Sequence, residues 1–198
     1  MRGWRPGVHN HQTFRCLFER GLCEEGIPTV ITDAAQPGNT TLGGMQRFER
    51  DILNPRPDAV LISFGLNDAS PQADGCTPRV SLETYRECYE TWFAALKRMG
   101  VLVVLMTPYP FAPGQLPIRN EVLGGYMEVI RDLAAKHQVP LADIFGELQG
   151  LAAGGRDLSG LYLDHVHLNP EGNRVVADLL LDFERKSGVF RTLSDAKN

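Results

Sequence analysis

Two apolar runs, the first broken only by Ser63, constrain the fold of this chain more than any other feature: AVLISF at 59–64 and VLVVLM at 101–106. Runs of this length without polar alternation are typical of strands that are covered on both faces, as in a parallel sheet. The segment between them, 82–99, has apolar residues at helical spacing and is followed by Gly100. Strand, helix and strand in this order predict a parallel sheet with helices on its faces.

The same alternation extends over most of the chain. Further helices are predicted where apolar residues recur at helical spacing, at 13–25, 41–53, 118–137 and from Pro170 onward. Further strands are predicted at two shorter apolar runs, 27–32 and 139–145. We therefore expect an α/β fold, a three-layer α/β/α sandwich that forms a single domain over 1–198, with a loosely held tail at 188–198.

Composition excludes several classes of protein. Hydrophobic residues make up 43% of the 198 residues, which excludes a largely disordered chain. The net charge is −4, whereas nucleic-acid binders typically carry an excess of basic residues. No apolar run reaches the roughly 18 residues that a membrane span needs. The cysteines have no zinc-like spacing and are expected to be free thiols: Cys16, Cys23, Cys76 and Cys88.

The segment LDHVHLNPEG, just before the last predicted helix, carries a carboxylate and two imidazoles. Asp164 precedes His167 by three residues, and a carboxylate held near an imidazole fixes its tautomer and stabilises the imidazolium. Two other interpretations are open. The segment can be a polar surface turn, or Asp164, His165 and His167, with Asp68, can bind a metal ion.

Two polar segments follow predicted strands, where ligands gather in parallel sheets. In GLND, the Asn67 side chain can donate its amide N–H to an oxyanion, as side-chain donors do in acyl transfer. In PGNTT, Gly38 allows the backbone N–H to approach a ligand closely. Taken singly, each segment is also explained as an ordinary turn.

Taken in order, these segments are more specific. Gly38 with NTT, Arg47 and Asp51 in the next helix, the strand with GLND, and LDHVHLNPEG resemble the SGNH (GDSL-type) hydrolase family over about residues 30–185. The resemblance implies a flavodoxin-like sheet of order 2-1-3-4-5. It also implies that a small-molecule ester is hydrolysed through a serine acyl-enzyme, without a metal or organic cofactor.

The resemblance also implies a role for each matched residue. Gly38 and Asn67 would form the oxyanion hole, His167 would act as general base and acid, and Asp164 would orient His167. The ester would be an O-acetyl carbohydrate or a lipid ester. Neither the compartment nor the oligomeric state follows from the sequence.

The sequence departs from the family at the nucleophile. The family opens with a strand and a Gly-Asp-Ser block, and this chain contains no such tripeptide. Ser81 is interpreted as a helix cap and Ser63 as structural, while Ser70 and Ser159 have at most a place lining the site. None of the six serines follows an amino-terminal strand: Ser63, Ser70, Ser81, Ser159, Ser187 and Ser194.

Three explanations of the missing block remain: an amino-terminal truncation with a block or signal peptide upstream of Met1, a non-catalytic relative, and a separate completing segment. We favour truncation, with no activity in the chain as printed. The missing first strand would lie between 27–32 and 59–64, so we also expect a distorted sheet there.

Overall fold

The computed structural model describes residues 7–114 and 117–196, and for residues 117 and 118 it describes the backbone alone. These residues form two compact units. The helical unit comprises the described residues within Met1–Ala35, Tyr109–Leu116 and Gly146–Asn198. The sheet unit comprises those within Gln36–Pro108 and Pro117–Phe145.

The described elements alternate as an α/β sequence. The strands are β1 (Ala59–Ile62), β2 (Leu102–Met106) and β3 (Leu141–Ala142). The helices are α1 (Phe14–Glu24), α2 (Thr41–Phe48), α3 (Leu82–Met99), α4 (Pro117–His137), α5 (Ile144–Ala153), α6 (Pro170–Ser187) and α7 (Val189–Asp195). Short 3₁₀ turns lie at Asn10–Gln12 and Ser159–Leu161, and a π-helical turn over Glu49–Leu53 continues α2.

The sheet unit is built on a parallel sheet of order β1-β2-β3. Ala59 pairs with Leu102 and Leu105 pairs with Leu141. Four of the five residues of β2 are buried, whereas the first three of β1 are half-buried. The expectation of an α/β fold with a parallel sheet is confirmed, although the described residues contain three strands instead of five.

Helix α3 follows its sequence signals closely. The Ser81 side chain accepts a hydrogen bond from the Thr84 N–H at 3.1 Å, and Gly100 closes the helix in the left-handed conformation at φ 69°. The inner face of α3 is fully or almost fully buried and is rich in aromatic side chains: Tyr85, Tyr89, Trp92, Phe93 and Leu96. This face supplies much of the core of the sheet unit.

The helical unit is organised by the packing of α1 on α6. Gly21 lies against the Leu181 side chain so closely that a Cβ would meet it at 2.6 Å. The Phe14 N–H donates to Asn173 Oδ1 at 2.9 Å, which joins the start of α1 to α6. Asn169 caps α6 through the Gly172 N–H, as the sequence predicts, and this anchors the segment that precedes α6.

The strand predicted at 27–32 does not form. Ile27 is buried, but Val30 is 89% exposed, and no strand partner lies beside this segment among the described residues. The Arg15 guanidinium donates to the Ile31 carbonyl at 3.1 Å, and the Ile27 N–H donates to the Leu22 carbonyl at 2.9 Å. An apolar β-branched run becomes a strand only where a neighbour completes its hydrogen bonds.

The prediction of a strand over 139–145 is largely wrong. Pairing is confined to Leu141–Ala142, and α5 begins at Ile144. The Thr107 side chain accepts a hydrogen bond from the Phe145 N–H at 2.8 Å and satisfies one of the donors at the start of that helix. A residue distant in sequence therefore turns the end of the apolar run into a helix.

The segment that we expected to be a loosely held tail includes α7, which packs on the helical unit. Glu184 of α6 is 2% exposed, and its carboxylate accepts hydrogen bonds from the N–H groups of Phe190 and Arg191, each at 3.0 Å. The Phe190 ring packs edge-on against Phe18 at 5.8 Å. The buried carboxylate caps α7 and holds it on the unit.

All four cysteines are free, as expected. Within the described segments, no helix has the length and apolar character that a membrane crossing would require.

Candidate active site

In the helical unit, the segment between the 3₁₀ turn Ser159–Leu161 and α6 forms a closed loop. Tyr162 and Leu168 form an antiparallel bridge, and the Leu163 N–H donates to the His167 carbonyl at 2.7 Å. The Asn169 N–H donates to the Leu161 carbonyl at 2.9 Å. The loop thus has a fixed backbone, and its exposed residues are Leu163, Asp164 and His165.

Asp164 and His167 meet within this loop. The His167 Nδ1 lies 2.7 Å from Asp164 Oδ2 and 2.9 Å from Oδ1. An imidazole that donates from Nδ1 in its neutral form carries its lone pair on Nε2, the nitrogen that acts as a base. The close contact between Asp164 and His167 that the sequence predicts is therefore present.

The backbone of the loop holds the carboxylate in place. Asp164 Oδ1 accepts hydrogen bonds from the N–H groups of Val166 and His167, each at 2.8 Å. Burial alone would raise the pKa of Asp164, but hydrogen bonds from the Val166 N–H and from the side chain and N–H of His167 outweigh it and lower the pKa to about 2. Asp164 is consequently a carboxylate at neutral pH and stabilises a protonated imidazole beside it.

The loop is secured by further contacts inside the helical unit. The Tyr162 hydroxyl donates to the Pro110 carbonyl at 2.7 Å, and the Ala112 N–H donates to the His165 carbonyl at 3.0 Å. Asn169 Nδ2 also donates to the Gly160 carbonyl at 2.6 Å. The His165 side chain itself is exposed. Its backbone has a structural role.

The metal hypothesis gains no support from this arrangement. Across residues 7–114 and 117–196, no three His, Cys, Asp or Glu side chains come together in a way that would hold a metal ion. Asp164 and His167 are directed at each other, whereas metal ligands converge on a common point.

In the sheet unit, Gly38 lies in the turn before α2. Its φ of 73° is a left-handed conformation that side chains disfavour, and a Cβ added there would meet no described atom within 4 Å. The Arg79 guanidinium donates to the Gly38 carbonyl at 3.2 Å. The backbone at Gly38 is therefore held from one side and open at the α-carbon.

Asn67 follows the carboxyl end of β1. Its Nδ2 donates to the Asn39 carbonyl at 2.9 Å, so one N–H of the amide is engaged by the segment that contains Gly38. A primary amide has two N–H groups, and the second can donate to a ligand oxygen. The two predicted oxyanion donors thus belong to segments that are joined by a direct hydrogen bond.

Asp68, beside Asn67, is completely buried. Its Oδ1 accepts hydrogen bonds from the N–H and the hydroxyl of Thr41 at 2.9 and 2.6 Å. Burial raises the pKa of Asp68, and hydrogen bonds from Thr41 only partly oppose the shift. The sequence suggested Asp68 as a metal ligand, but it gave no sign of Thr41 as its partner, since the two residues are 27 positions apart.

Arg47 and Asp51 form an ion pair at 2.6 Å across the junction of α2 and its π-helical turn. Hydrogen bonds from Arg50 first and Arg47 second lower the pKa of Asp51 to about 2. The pair stabilises the end of α2.

Three of the serines have local structural roles. Ser81 caps α3, Ser70 donates to the Leu66 carbonyl at 2.7 Å, and Ser159 donates to Asp157 at 2.8 Å. Ser63 lies just past β1 and is exposed.

Comparison with known proteins relates these features to a family. Residues 2–175 match the model of the GDSL-like lipase/acylhydrolase family. The chain is 30% identical over 177 residues to the uncharacterized lipoprotein YqeF of Bacillus subtilis, covering 77% of this chain and 72% of that protein. It is 24% identical over 172 residues to an acetylxylan esterase of Geobacillus stearothermophilus, covering 81% and 76%.

Solved structures agree in fold. The acetyl xylan esterase AlAXEase is 25% identical and superposes with a TM-score of 0.75, covering 89% of this chain and 92% of that one. Structures of the Geobacillus stearothermophilus esterase include catalytic mutants in which a serine, an aspartate and a histidine are each replaced by alanine. In that enzyme the aspartate precedes the histidine by three positions.

Proposed function

The chain belongs to the GDSL-like lipase/acylhydrolase family, and we propose that its site hydrolyses small acyl esters, with O-acetylated carbohydrates as the substrate class. The observation that carries this proposal is the Asp164–His167 pair, whose Nδ1–carboxylate distance is 2.7 Å. The three-residue spacing of the pair equals that of the aspartate and histidine replaced in the catalytic mutants of the Geobacillus esterase. Two acetylxylan esterases among the similar proteins support the substrate class.

The first step is acylation of a serine. His167 Nε2 accepts the proton of the serine hydroxyl while the serine oxygen attacks the acyl carbon of the ester. The ester's C–O bond then breaks, and the alcohol leaves with the proton from His167. The Asp164 carboxylate stabilises the imidazolium that exists between these events.

The second step is deacylation. His167 takes a proton from water, the water oxygen attacks the acyl-serine, and the serine leaves with that proton. In both steps the carbonyl oxygen carries a negative charge, which the Gly38 N–H and the Asn67 amide stabilise in this proposal. Hydrolysis therefore releases one acid and one alcohol without a redox change.

The nucleophile is the part that the printed sequence does not supply. No Gly-Asp-Ser block is present, and Ser70, Ser81 and Ser159 are engaged in local structure. We expect residues 1–198 alone to leave p-nitrophenyl acetate intact. The same chain with an in-frame amino-terminal segment that carries an apolar strand and Gly-Asp-Ser, here called the extended form, should hydrolyse it.

The test compares initial rates of the two forms on p-nitrophenyl acetate and p-nitrophenyl octanoate. Activity in the extended form with preference for acetate supports a short-chain O-acetyl esterase, and preference for octanoate favours a lipid ester. If the His167→Ala variant of the extended form stays fully active, the proposal is wrong.

A non-catalytic binding module is the second candidate, because the chain lacks the Gly-Asp-Ser block. In that case the genomic reading frame contains no serine block upstream of Met1, and the chain binds acetylated xylo-oligosaccharides without turnover. The reading frame upstream of Met1 separates the two candidates, and calorimetric titration with acetylated and deacetylated oligosaccharides tests the binding itself.

A further inference from the structure

We propose that Asp68 and Thr41 are positioning residues. They hold the two proposed oxyanion donors, Gly38 and Asn67, in a fixed position relative to each other. This inference rests on the proposed function, since it concerns the same site. It adds a role for two residues that do not themselves touch the ester.

The first observation is the burial of the contact. Asp68 and Thr41 are both completely buried in the sheet unit. One carboxylate oxygen receives both the backbone N–H and the hydroxyl of Thr41, at 2.9 and 2.6 Å. Hydrogen bonds in a buried setting are strong because water does not compete for the donor, and two on one oxygen fix the orientation of the donor residue.

The second observation is that two adjacent residues, Asn67 and Asp68, are each hydrogen-bonded to the segment 39–41. Asn67 Nδ2 reaches the Asn39 carbonyl at 2.9 Å, and the next residue, Asp68, reaches Thr41. The contacted residues, Asn39 and Thr41, follow shortly after Gly38 in the chain. Hydrogen bonds at two adjacent residues prevent one segment from both sliding and rotating against the other, whereas a single hydrogen bond permits rotation.

The third observation concerns the ends of the two segments. Thr41 is the first residue of α2, and the Thr40 side chain caps the helix. Asp68 is followed by the hydrogen bond from the Ala69 N–H to the Gly65 carbonyl at 2.8 Å, which closes the turn after β1. The Asp68–Thr41 and Asn67–Asn39 contacts, together called the clamp, therefore join the start of α2 to the turn that follows β1.

Position matters at this site because oxyanion stabilisation depends on donors that are already in place when charge develops. Without the clamp, the Asn67 amide would keep its chemistry but lose its fixed direction relative to the Gly38 N–H. The expected consequence is a lower kcat with little change in KM, since the donors act on the transition state more than on the bound ester.

The principal test needs no ester. The side-chain amide of Asn67, assigned by its loss in Asn67→Asp, is followed by ¹⁵N–¹H correlation spectroscopy in residues 1–198. Thr41→Val removes the hydroxyl at nearly constant shape and should move the Asn67 signals toward those of an exposed asparagine. Thr41→Ser keeps the hydroxyl and should retain the wild-type signals.

Thr91→Val is the matched control. Thr91 is an exposed threonine of α3 whose hydroxyl donates to the Glu87 carbonyl at 2.9 Å, so the chemical change is the same and the Asn67 amide should be unaffected. A folded Thr41→Val protein with wild-type Asn67 signals overturns the inference.

If Thr41→Val does not fold, native-state hydrogen exchange of the wild type decides. The Thr41 N–H and the Asn67 amide open with the same denaturant dependence if one clamp holds both, and with different dependences if the inference is wrong. In the extended form, Thr41→Val should lower kcat roughly 10- to 150-fold, the effect of one charge-assisted hydrogen bond. An extended form without activity counts against the proposed function alone, because the spectroscopic result does not depend on turnover.

Discussion

Asp164 and Asp68, two aspartates in different units of this protein, differ in pKa because their surroundings differ. At both, burial acts to raise the pKa. At Asp164, whose side chain is 42% exposed, hydrogen bonds from Val166 and His167 overturn that effect and the pKa falls to about 2. At Asp68, which is completely buried, the hydrogen bonds do not overcome burial and the pKa is raised.

The comparison teaches that the balance between burial and hydrogen bonding assigns the role. Asp164 keeps its charge and is suited to stabilise an imidazolium that forms and disappears during a reaction. At Asp68, burial disfavours the charged form, and its hydrogen bonds to Thr41 suit a fixed structural acceptor. Substitutions at the two sites should therefore affect different properties.

The largest effect is expected at the Asp164–His167 pair. In the extended form, Asp164→Asn or His167→Ala should lower kcat by about 10⁴-fold, because the imidazole loses its tautomer or is absent. Hydrolysis of p-nitrophenyl acetate measures this. His165→Ala, at an exposed histidine two positions away, is the control and should remain active. Equal losses at His165 and His167 would contradict the assignment.

A smaller effect is expected at Asn67, which we propose as an oxyanion donor. Asn67→Ala in the extended form should lower kcat by about 10²- to 10³-fold, the typical result of removing one such donor. The exposed Asn54 provides the control, since Asn54→Ala should leave the rate unchanged. Wild-type turnover in Asn67→Ala would remove Asn67 from the site.

On the structural side of the comparison, Thr41→Val should reduce the free energy of unfolding by about 1.5–3 kcal/mol, because a buried carboxylate loses a hydrogen bond. Thr91→Val, at an exposed position, should change it by less than about 0.5 kcal/mol. Urea unfolding of both variants measures the difference. Equal values would mean that the Asp68 contact adds no stability of its own.

The smallest effect concerns the pH dependence of stability. Because its folded pKa is depressed, Asp164 stabilises the fold above its unfolded pKa, and this contribution is lost as pH falls toward about 2. Asp164→Asn should thus be less stable than wild type at pH 7 by about 1 kcal/mol after solvent screening, with the difference vanishing near pH 2.

Asp68 should show the opposite sign. Its raised pKa means that its contribution is present in acid and is lost as pH rises, so Asp68→Asn should gain stability relative to wild type from pH 3 to pH 7. Urea unfolding across this range measures both trends. Parallel trends at the two aspartates would break the comparison.

The sequence predicted the part of the site that depends on local chain geometry. Asp164 and His167 are three positions apart, so a short loop brings them together. Asn67 and Gly38 were proposed from their positions after predicted strands and from the resemblance, but the hydrogen bond from Asn67 to Asn39 could not be predicted, because it joins residues 28 positions apart. Thr41 gave no signal because a threonine at the start of a helix is unremarkable by itself.

By itself, the sequence determined the elements whose signals are local: α3 between Ser81 and Gly100, α6 behind Asn169, and the buried strand β2. Tertiary structure decided whether other segments found partners. The run at 27–32 has strand-forming residues but no neighbour among the described residues, while the tail after Gly188 becomes helical because the buried Glu184 accepts its N–H groups. The physical reason is that helical hydrogen bonds close within a few residues, whereas strand pairing and the satisfaction of buried charges require groups that only the folded chain brings together.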